Sequence, residues 1–422
     1  MVILRLIPPY WMLTACLGLV LASCGAPSVN STPSLGDLTS FDTPSPAASL
    51  TPSPAPTARP QTALSPFDIW VVAEGLNSDA VLGVSPDGSA LTLARLPLNE
   101  GQHASDVVAA RNGCCLAYLV WDGSGQHGAA VWNLSGPNAR LAAQPLPGYR
   151  IMAIFLSDDG SALACVQVQK GASLEEADWR LDSVPSEGGQ PTLLVNREAA
   201  GGVYPLIPFA WPAGGPLLLN AAAPDHTSQG IFAVNPASGE GRVLVQTGGS
   251  MVSMPALSPS GSLLAYLTHE GEEGGTASQR TVPNAVRVFD LRLDTSFTIP
   301  APAGQAVYGM RWHPDSQRLL LDLVTLPTDD AGLPPQFWAL APLDQPPPWP
   351  QSETGPERQD LFDYEVLGDG VAYTTLPASG QWQLYVLPEV GGTQPLIVIP
   401  LELIAQESAA PAIIRVPYLS NP

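Results

Sequence analysis

A short turn recurs about every fifty residues along this chain. It reads Asn112-Gly113, Asp158-Asp159-Gly160, Ala213-Gly214, Pro259-Ser260-Gly261, Pro314-Asp315-Ser316 and Gly368-Asp369-Gly370. After each turn comes a short apolar segment: Cys115–Val120, Ala162–Gln167, Pro216–Asn220, Leu263–Leu267, Arg318–Asp322 and Val371–Thr374. Gly, Asp, Asn and Pro supply the tight reversals, and the apolar segments have the length of buried strands. A repeat of this size with about four short strands per unit predicts an all-β chain folded as a β-propeller.

Two units make the strand count explicit. The unit from Val252 divides into Ser253–Leu257, Leu263–Leu267, Ala285–Asp290 and Thr295–Ile299; the unit from Tyr204 divides into Leu206–Ala210, Leu217–Asn220, Gly230–Val234 and Arg242–Val245. Strand a precedes the repeated turn and strand b follows it, with a innermost. Six such turns are visible. At the start of the repeat region, residues 68–74, Ala80–Val84 and Leu91–Arg95 read as strands b, c and d with no strand a; at its end, Ala412–Val416 is a lone strand. The simplest arrangement has seven four-stranded blades, with N- and C-terminal strands pairing to close the ring and remove open sheet edges. Six blades need longer units or leave one end unpaired, and eight need a unit that no turn marks; both stay as alternatives.

The N-terminus reads as an address. Arg5 is followed by the apolar stretch Trp11–Leu21, too short to span a bilayer comfortably and suited to the hydrophobic part of a secretory signal. It ends in Leu21-Ala22-Ser23-Cys24-Gly25, which resembles the bacterial lipobox. The resemblance implies cleavage before Cys24 and acylation of its sulfur, so residues 1–23 are a lipoprotein signal peptide. A second cysteine, Cys16, lies inside the apolar run. Two or three acyl chains would hold the protein at a lipid bilayer. Residues 24–66 are rich in Ser, Thr and Pro, with too few apolar side chains to offset ordering entropy, and read as a disordered tether. The propeller occupies residues 67–422.

The repeat resembles that of bacterial TolB-like and WD-repeat-like propellers, in which an aromatic and Ser-Pro-Asp-Gly precede an apolar strand. Leu257–Tyr266 and Arg311–Asp315 are the best matches, Phe155–Ala164 a good one, and Ala210–Gly215 and Val366–Gly370 degraded copies. The likeness covers most of the propeller, but the matching residues are structural. It implies the fold and leaves the ligand open, since such propellers act as interaction platforms, as parts of peptidases and as enzymes.

Composition narrows the partners. With 38 Asp and Glu against 17 Lys and Arg, the formal charge is −21, which opposes nucleic-acid binding. His103, His127, His226, His269 and His313 form no metal-ligand pair at strand or helix spacing, and His313, inside the repeated turn, reads as structural. The carboxylates around His269 (Glu270, Glu272 and Glu273) sit among glycines and read as a solvated loop. No Gly-x-Ser-x-Gly nucleophile elbow occurs, and a hydrolase domain has no room after the propeller. No catalytic residue, metal or cofactor is therefore expected. Cys114, Cys115 and Cys165 read as buried free thiols. A bridge from Cys165 to either of the others stays open, and the adjacent pair can bond only through a strained ring.

Loops d–a and b–c open on one face of a propeller, so the b–c loops 170–178, 268–284 and 324–336 crowd the face where the a strands begin. Tyr149, Arg150, Tyr204, Tyr308, Phe362 and Asp363 lie at those starts and are the candidate ligand-binding residues at the channel mouth. The expectation is an exported, membrane-anchored lipoprotein whose propeller binds a protein or peptide without catalysis. One alternative is a propeller enzyme with a metal-dependent hydrolase or lyase site at the channel mouth. Another is a scaffold or sensor subunit of an envelope complex.

Overall fold

The computed structural model describes residues 69–415 apart from 75–79, 85–90, 137, 175, 203, 223–227, 246–251, 270–282, 327–335, 354–360, 368–369, 376–382, 388–389, 391–396 and 401–409. Residues 1–68, where the signal peptide, Cys24 and the tether are expected, lie outside the described residues, as do most of the b–c loops 268–284 and 324–336.

Seven four-stranded antiparallel sheets make up the described residues. Blade 1 is built from β1 (Ile69–Glu74), β2 (Ala80–Val84), β3 (Leu91–Arg95) and the last strand, β28 (Ala410–Arg415), in the order β28-β1-β2-β3. Blade 2 has β4 (His103–Ala109), β5 (Cys115–Asp122), β6 (Gly125–Asn133) and β7 (Ala139–Ala143). Blade 3 has β8 (Tyr149–Leu156), β9 (Ala162–Gln169), β10 (Trp179–Pro185) and β11 (Thr192–Asn196). Blade 4 has β12 (Leu206–Ala210), β13 (Leu217–Ala222), β14 (Ser228–Val234) and β15 (Gly241–Val245). Blade 5 has β16 (Val252–Leu257), β17 (Leu263–Thr268), β18 (Ala285–Asp290) and β19 (Thr295–Pro300). Blade 6 has β20 (Gln305–Trp312), β21 (Arg318–Thr325), β22 (Gln336–Pro342) and β23 (Gln351–Glu353). Blade 7 has β24 (Leu361–Leu367), β25 (Gly370–Thr375), β26 (Gln383–Leu387) and β27 (Ile397–Pro400).

The role expected of terminal-strand pairing needs correcting. β28 runs antiparallel to β1 with Ile69 opposite Arg415 and Glu74 opposite Ala410, and this pairing completes a blade. It does not join one blade to the next, because every sheet is a separate unit with no strand shared between sheets. What holds the blades together is packing between faces. The first strand of each blade touches the first strand of the next, from β4 through β8, β12, β16, β20, β24 and β28 back to β4. These strands are therefore innermost.

The core lies between blades. Leu163 and Cys165 on β9 pack toward blade 2, while Ala164, Val166 and Val168 on the same strand pack toward blade 4. Likewise Leu319, Leu321 and Leu323 on β21 face blade 5, and Leu320 faces blade 7. A strand buried on both faces has no polar alternation, which is why the second strand of each unit reads as a continuous apolar run.

The repeated turns fasten neighbouring blades at one end of the ring. In blade 3, Ser157 Oγ donates to Asp159 Oδ1 at 2.7 Å, the Ser161 amide donates to the same oxygen, and Gly160 takes a left-handed φ of 69°. The Asn112 amide donates to the Asp158 carbonyl at 2.9 Å, and the Asp158 amide to the Trp211 carbonyl at 2.9 Å, linking blades 2, 3 and 4. His313 is buried in the equivalent turn of blade 6, with Nδ1 2.9 Å from Asp315 and the Arg318 guanidinium 3.0 Å from Nε2, the structural position its sequence context suggests.

Candidate functional site

The innermost strands carry a feature that repeats around the channel. The register of strand a on strand b slips once in blades 2 to 7, between Ser105 and Val108, Ile151 and Ala153, Pro208 and Ala210, Ser253 and Ala256, Val307 and Gly309, and Leu361 and Asp363. The β28–β1 pair has no slip. Each slip is a β-bulge, which leaves a residue unpaired and re-aims its side chain. The residues passed over include Asp106, Met152, Phe209, Met254, Tyr308 and Phe362. Asp106 and Met254 are held at φ 51°, a left-handed conformation unusual for side chains other than Gly, Asn and Asp.

Two of the bulged side chains are exposed although their strands line the axis: Tyr308 at 41% and Met254 at 36%. Both lie on innermost strands, Tyr308 on β20 and Met254 on β16. Met152 and Phe209 instead lean on the apolar clusters between blades. Asp106 accepts a hydrogen bond from Ser105 Oγ at 2.8 Å, and Ser105 in turn accepts one from Trp121 Nε1 at 2.9 Å. Burial lifts the Asp106 carboxyl above its ordinary pKa, and the Ser105 hydroxyl draws it partly back.

A charged cluster lies where β20 meets β24, three residues along β20 from Tyr308. Arg311 reaches across the seam with its guanidinium 3.6 Å from Asp363 Oδ1 and 3.6 Å from Glu365 Oε2, and it stacks 4.9 Å above the Tyr364 ring. One cation among two carboxylates leaves the cluster negative. The Tyr364 hydroxyl is buried against Gly309, and burial raises its pKa strongly.

Of the six residues expected at the channel mouth, Tyr308 and Asp363 fall on adjacent inner strands, β20 and β24. Tyr308 sits in the bulge within β20 rather than at the strand start. Phe362 belongs to the β24 bulge, and its side chain lies outside the described residues. Tyr149 starts β8, but its hydroxyl donates to Asp178 Oδ2 at 2.6 Å, which raises its pKa and ties it to the b–c loop of its own blade. Beside it, Arg180 Nε donates to the buried Asp182 at 2.8 Å and Gln167 to the same carboxylate at 3.0 Å. Arg150 is exposed, and Tyr204 is half-buried just before β12. Sequence reasoning misses Asp106, Met254, Arg311 and Glu365, because no turn or motif marks a bulge inside an apolar strand.

Among the described residues, no three His, Cys, Asp or Glu side chains converge to hold a metal ion. Nor is any described helix long and apolar enough to cross a membrane.

No protein-family model matches the sequence, and neither does any curated protein. Solved structures do resemble the fold. An oligogalacturonate lyase in complex with manganese superposes with a TM-score of 0.53 at 11% identity, over 76% of this chain and 91% of that one. An oligogalacturonate lyase from Vibrio parahaemolyticus gives 0.52 at 11% identity, with the same coverage. TolB from Acinetobacter baumannii is looser, at 0.42 and 12% identity, over 82% of this chain and 66% of that one. At such identities the likeness is one of fold alone: the chain is a β-propeller.

Proposed function

We propose that this protein is an exported lipoprotein, held to a bilayer through acylated Cys24, whose propeller binds a peptide or protein segment at the channel. The observation that carries the binding reading is the pair of exposed side chains, Tyr308 and Met254, turned out by bulges on neighbouring inner strands. Taken with Arg311, Asp363 and Glu365 at the β20–β24 seam, this apolar surface would suit a ligand with an apolar or aromatic side chain and a positive charge, in keeping with the chain's formal charge of −21. Residues 24–66 would act as the tether between lipid and propeller.

A second reading is an enzyme of the lyase type. Its support is the similarity of fold to oligogalacturonate lyases along nearly their whole length. The described residues offer no metal-holding group for it, and the negative cluster at the β20–β24 seam is ill suited to an anionic uronate.

The test uses protein extracted from membranes of the producing cell. Its intact mass reads acylation at Cys24, and tryptophan fluorescence reads binding of short peptides pairing an aromatic residue with Lys or Arg. The reading expects a diacylglyceryl mass on Cys24 and saturable binding weakened about tenfold or more by Tyr308→Ala. Equal binding by wild type and Tyr308→Ala would sink the channel site, and an unmodified Cys24 would sink the anchor. Turnover of oligogalacturonate with added manganese would put the enzyme reading first.

A further inference from the structure

Two cysteines where the β4–β5 turn of blade 2 enters β5 have no part in the proposed channel site. Successive side chains along a strand point to opposite faces, so adjacent cysteines normally hold their sulfurs apart. Here β5 begins at Cys115 and Cys114 belongs to the turn before it, and the two Sγ atoms stand 2.7 Å apart. Both lean on Gly160 of the neighbouring blade's turn, where the β-carbon of any other residue would strike both sulfurs.

The backbone pins this arrangement from several sides. The Cys114 amide donates to Asn112 Oδ1 at 2.9 Å, and Asn112 Nδ2 donates to the Asp159 carbonyl at 2.9 Å. The carbonyl of Cys114 accepts from the Leu134 amide, and that of Cys115 from the Ala110 amide, each at 3.0 Å. Cys165 is fully buried on β9, and among the described residues no sulfur contact joins it to either of the others.

We propose that Cys114 and Cys115 form a redox couple that closes reversibly into a vicinal disulfide when it meets a small-molecule disulfide such as oxidised glutathione. Cys114, the more accessible of the two, loses its proton to water and as thiolate attacks one sulfur of the oxidant, expelling a first thiolate that takes up a proton from water. Cys115 then attacks the Cys114 sulfur of the mixed disulfide, expels a second thiolate and gives up its proton to it. Two protein thiols are oxidised to one disulfide, and the oxidant is reduced to two thiols. The ring has eight atoms and includes the peptide bond between the two residues. The order of events agrees with the electrostatics: the hydrogen bond from Cys115 lowers the Cys114 thiol's pKa, while that contact and burial push Cys115 up. A loop this short removes almost no freedom from the unfolded chain, so the bond is a redox site rather than a staple.

The full chain, reduced and then exposed to oxidised glutathione, is alkylated under denaturing conditions and digested. The expected product is one peptide containing both cysteines, lighter by two hydrogens, unalkylated and restored by dithiothreitol. Cys114→Ser abolishes that product, while Cys165→Ala keeps it. Full alkylation of both cysteines, under conditions that oxidise a reduced vicinal-dithiol peptide, overturns the proposal. So does a cross-linked peptide joining Cys165 to Cys114 or Cys115. Fragmentation of the wild-type peptide alone tells these results apart if a variant fails to fold.

Discussion

The Tyr364 hydroxyl rests against the α-carbon of Gly309 on the neighbouring blade, in the space a β-carbon would fill. Gly309 pairs with Asp322, and Asp322 with Trp338, so the three lie side by side on the face of blade 6 that meets blade 7. Opposite them Tyr364 pairs with Tyr373, and Tyr373 stacks on Tyr385 with centroids 5.1 Å apart. The Tyr373 ring meets Trp338 edge-on at 4.9 Å. Gly309 is therefore the gap that lets an aromatic row seat between two blades.

Gly309→Ala should cost about 1–3 kcal/mol, the usual range for overpacking a tight interface. Tyr364→Phe should be nearly neutral, because its hydroxyl is buried with no hydrogen-bond partner among the described residues. In the Tyr364→Phe background most of the alanine's cost should disappear. Urea denaturation of the single and double variants reads this coupling directly, and additive costs would refute the contact.

Ser316 occupies a left-handed position, φ 60°, where the turns of blades 2 to 5 carry Gly. Its hydroxyl accepts a hydrogen bond from the Ser260 amide of the neighbouring blade at 2.9 Å. The backbone conformation costs a non-glycine residue about 1–2 kcal/mol, and the bond returns about 0.5–1.5 kcal/mol. Ser316→Gly should leave the melting temperature almost unmoved. Ser316→Ala keeps the strain and loses the bond, so it should melt about 1–2 °C lower. Equal melting of the two variants would mean that the bond between blades contributes nothing.

Gln126 on β6 fastens blade 2 to the inner strand of blade 3. Its Nε2 donates to the Ile151 carbonyl at 2.8 Å, and its Oε1 accepts from the Ile151 amide at 2.7 Å. Gln126→Ala should leave both backbone groups without these partners and cost about 1–3 kcal/mol. Hydrogen exchange should locate the loss: the Ile151 amide should exchange faster, while amides of blade 5 keep their protection. Unchanged exchange at Ile151 would show that water replaces the side chain without penalty.

The legible part of the fold is the part built twice over. The b strands declare themselves because both their faces are buried, as in Leu163 to Val168, and the a–b turns because Gly160 and Gly261 need left-handed backbone. The bulges stay hidden because packing of inner strands around the axis imposes them, not local propensity. At Met254 there is no glycine to betray the left-handed conformation. Arg311 reads as part of a repeat motif, and only the juxtaposition of β20 and β24 brings it to Asp363 and Glu365. The adjacency of Cys114 and Cys115 is visible in the sequence, but the start of β5 between them, which turns their sulfurs together, is not.

Asp106 offers a pH test of the inner ring. Burial raises its carboxyl pKa, with the Ser105 hydroxyl opposing, so the ionised form is disfavoured in the folded state. Above the folded pKa both states are ionised, and the fold carries the penalty of a buried charge. As pH falls through the folded pKa toward the ordinary value of 3.8, the folded state takes up its proton first and gains stability relative to the unfolded chain. Asp106→Asn removes the charge, tolerates the left-handed φ of 51° and keeps an acceptor for Ser105. The variant should therefore melt above the wild type at pH 7, and the difference should shrink as pH is lowered toward 4. In the same preparations, Asp106→Asn should weaken binding of the cationic peptides if the Asp106 carboxylate shares in their recognition. A melting difference independent of pH would assign the effect to packing at the bulge and remove charge burial as its cause.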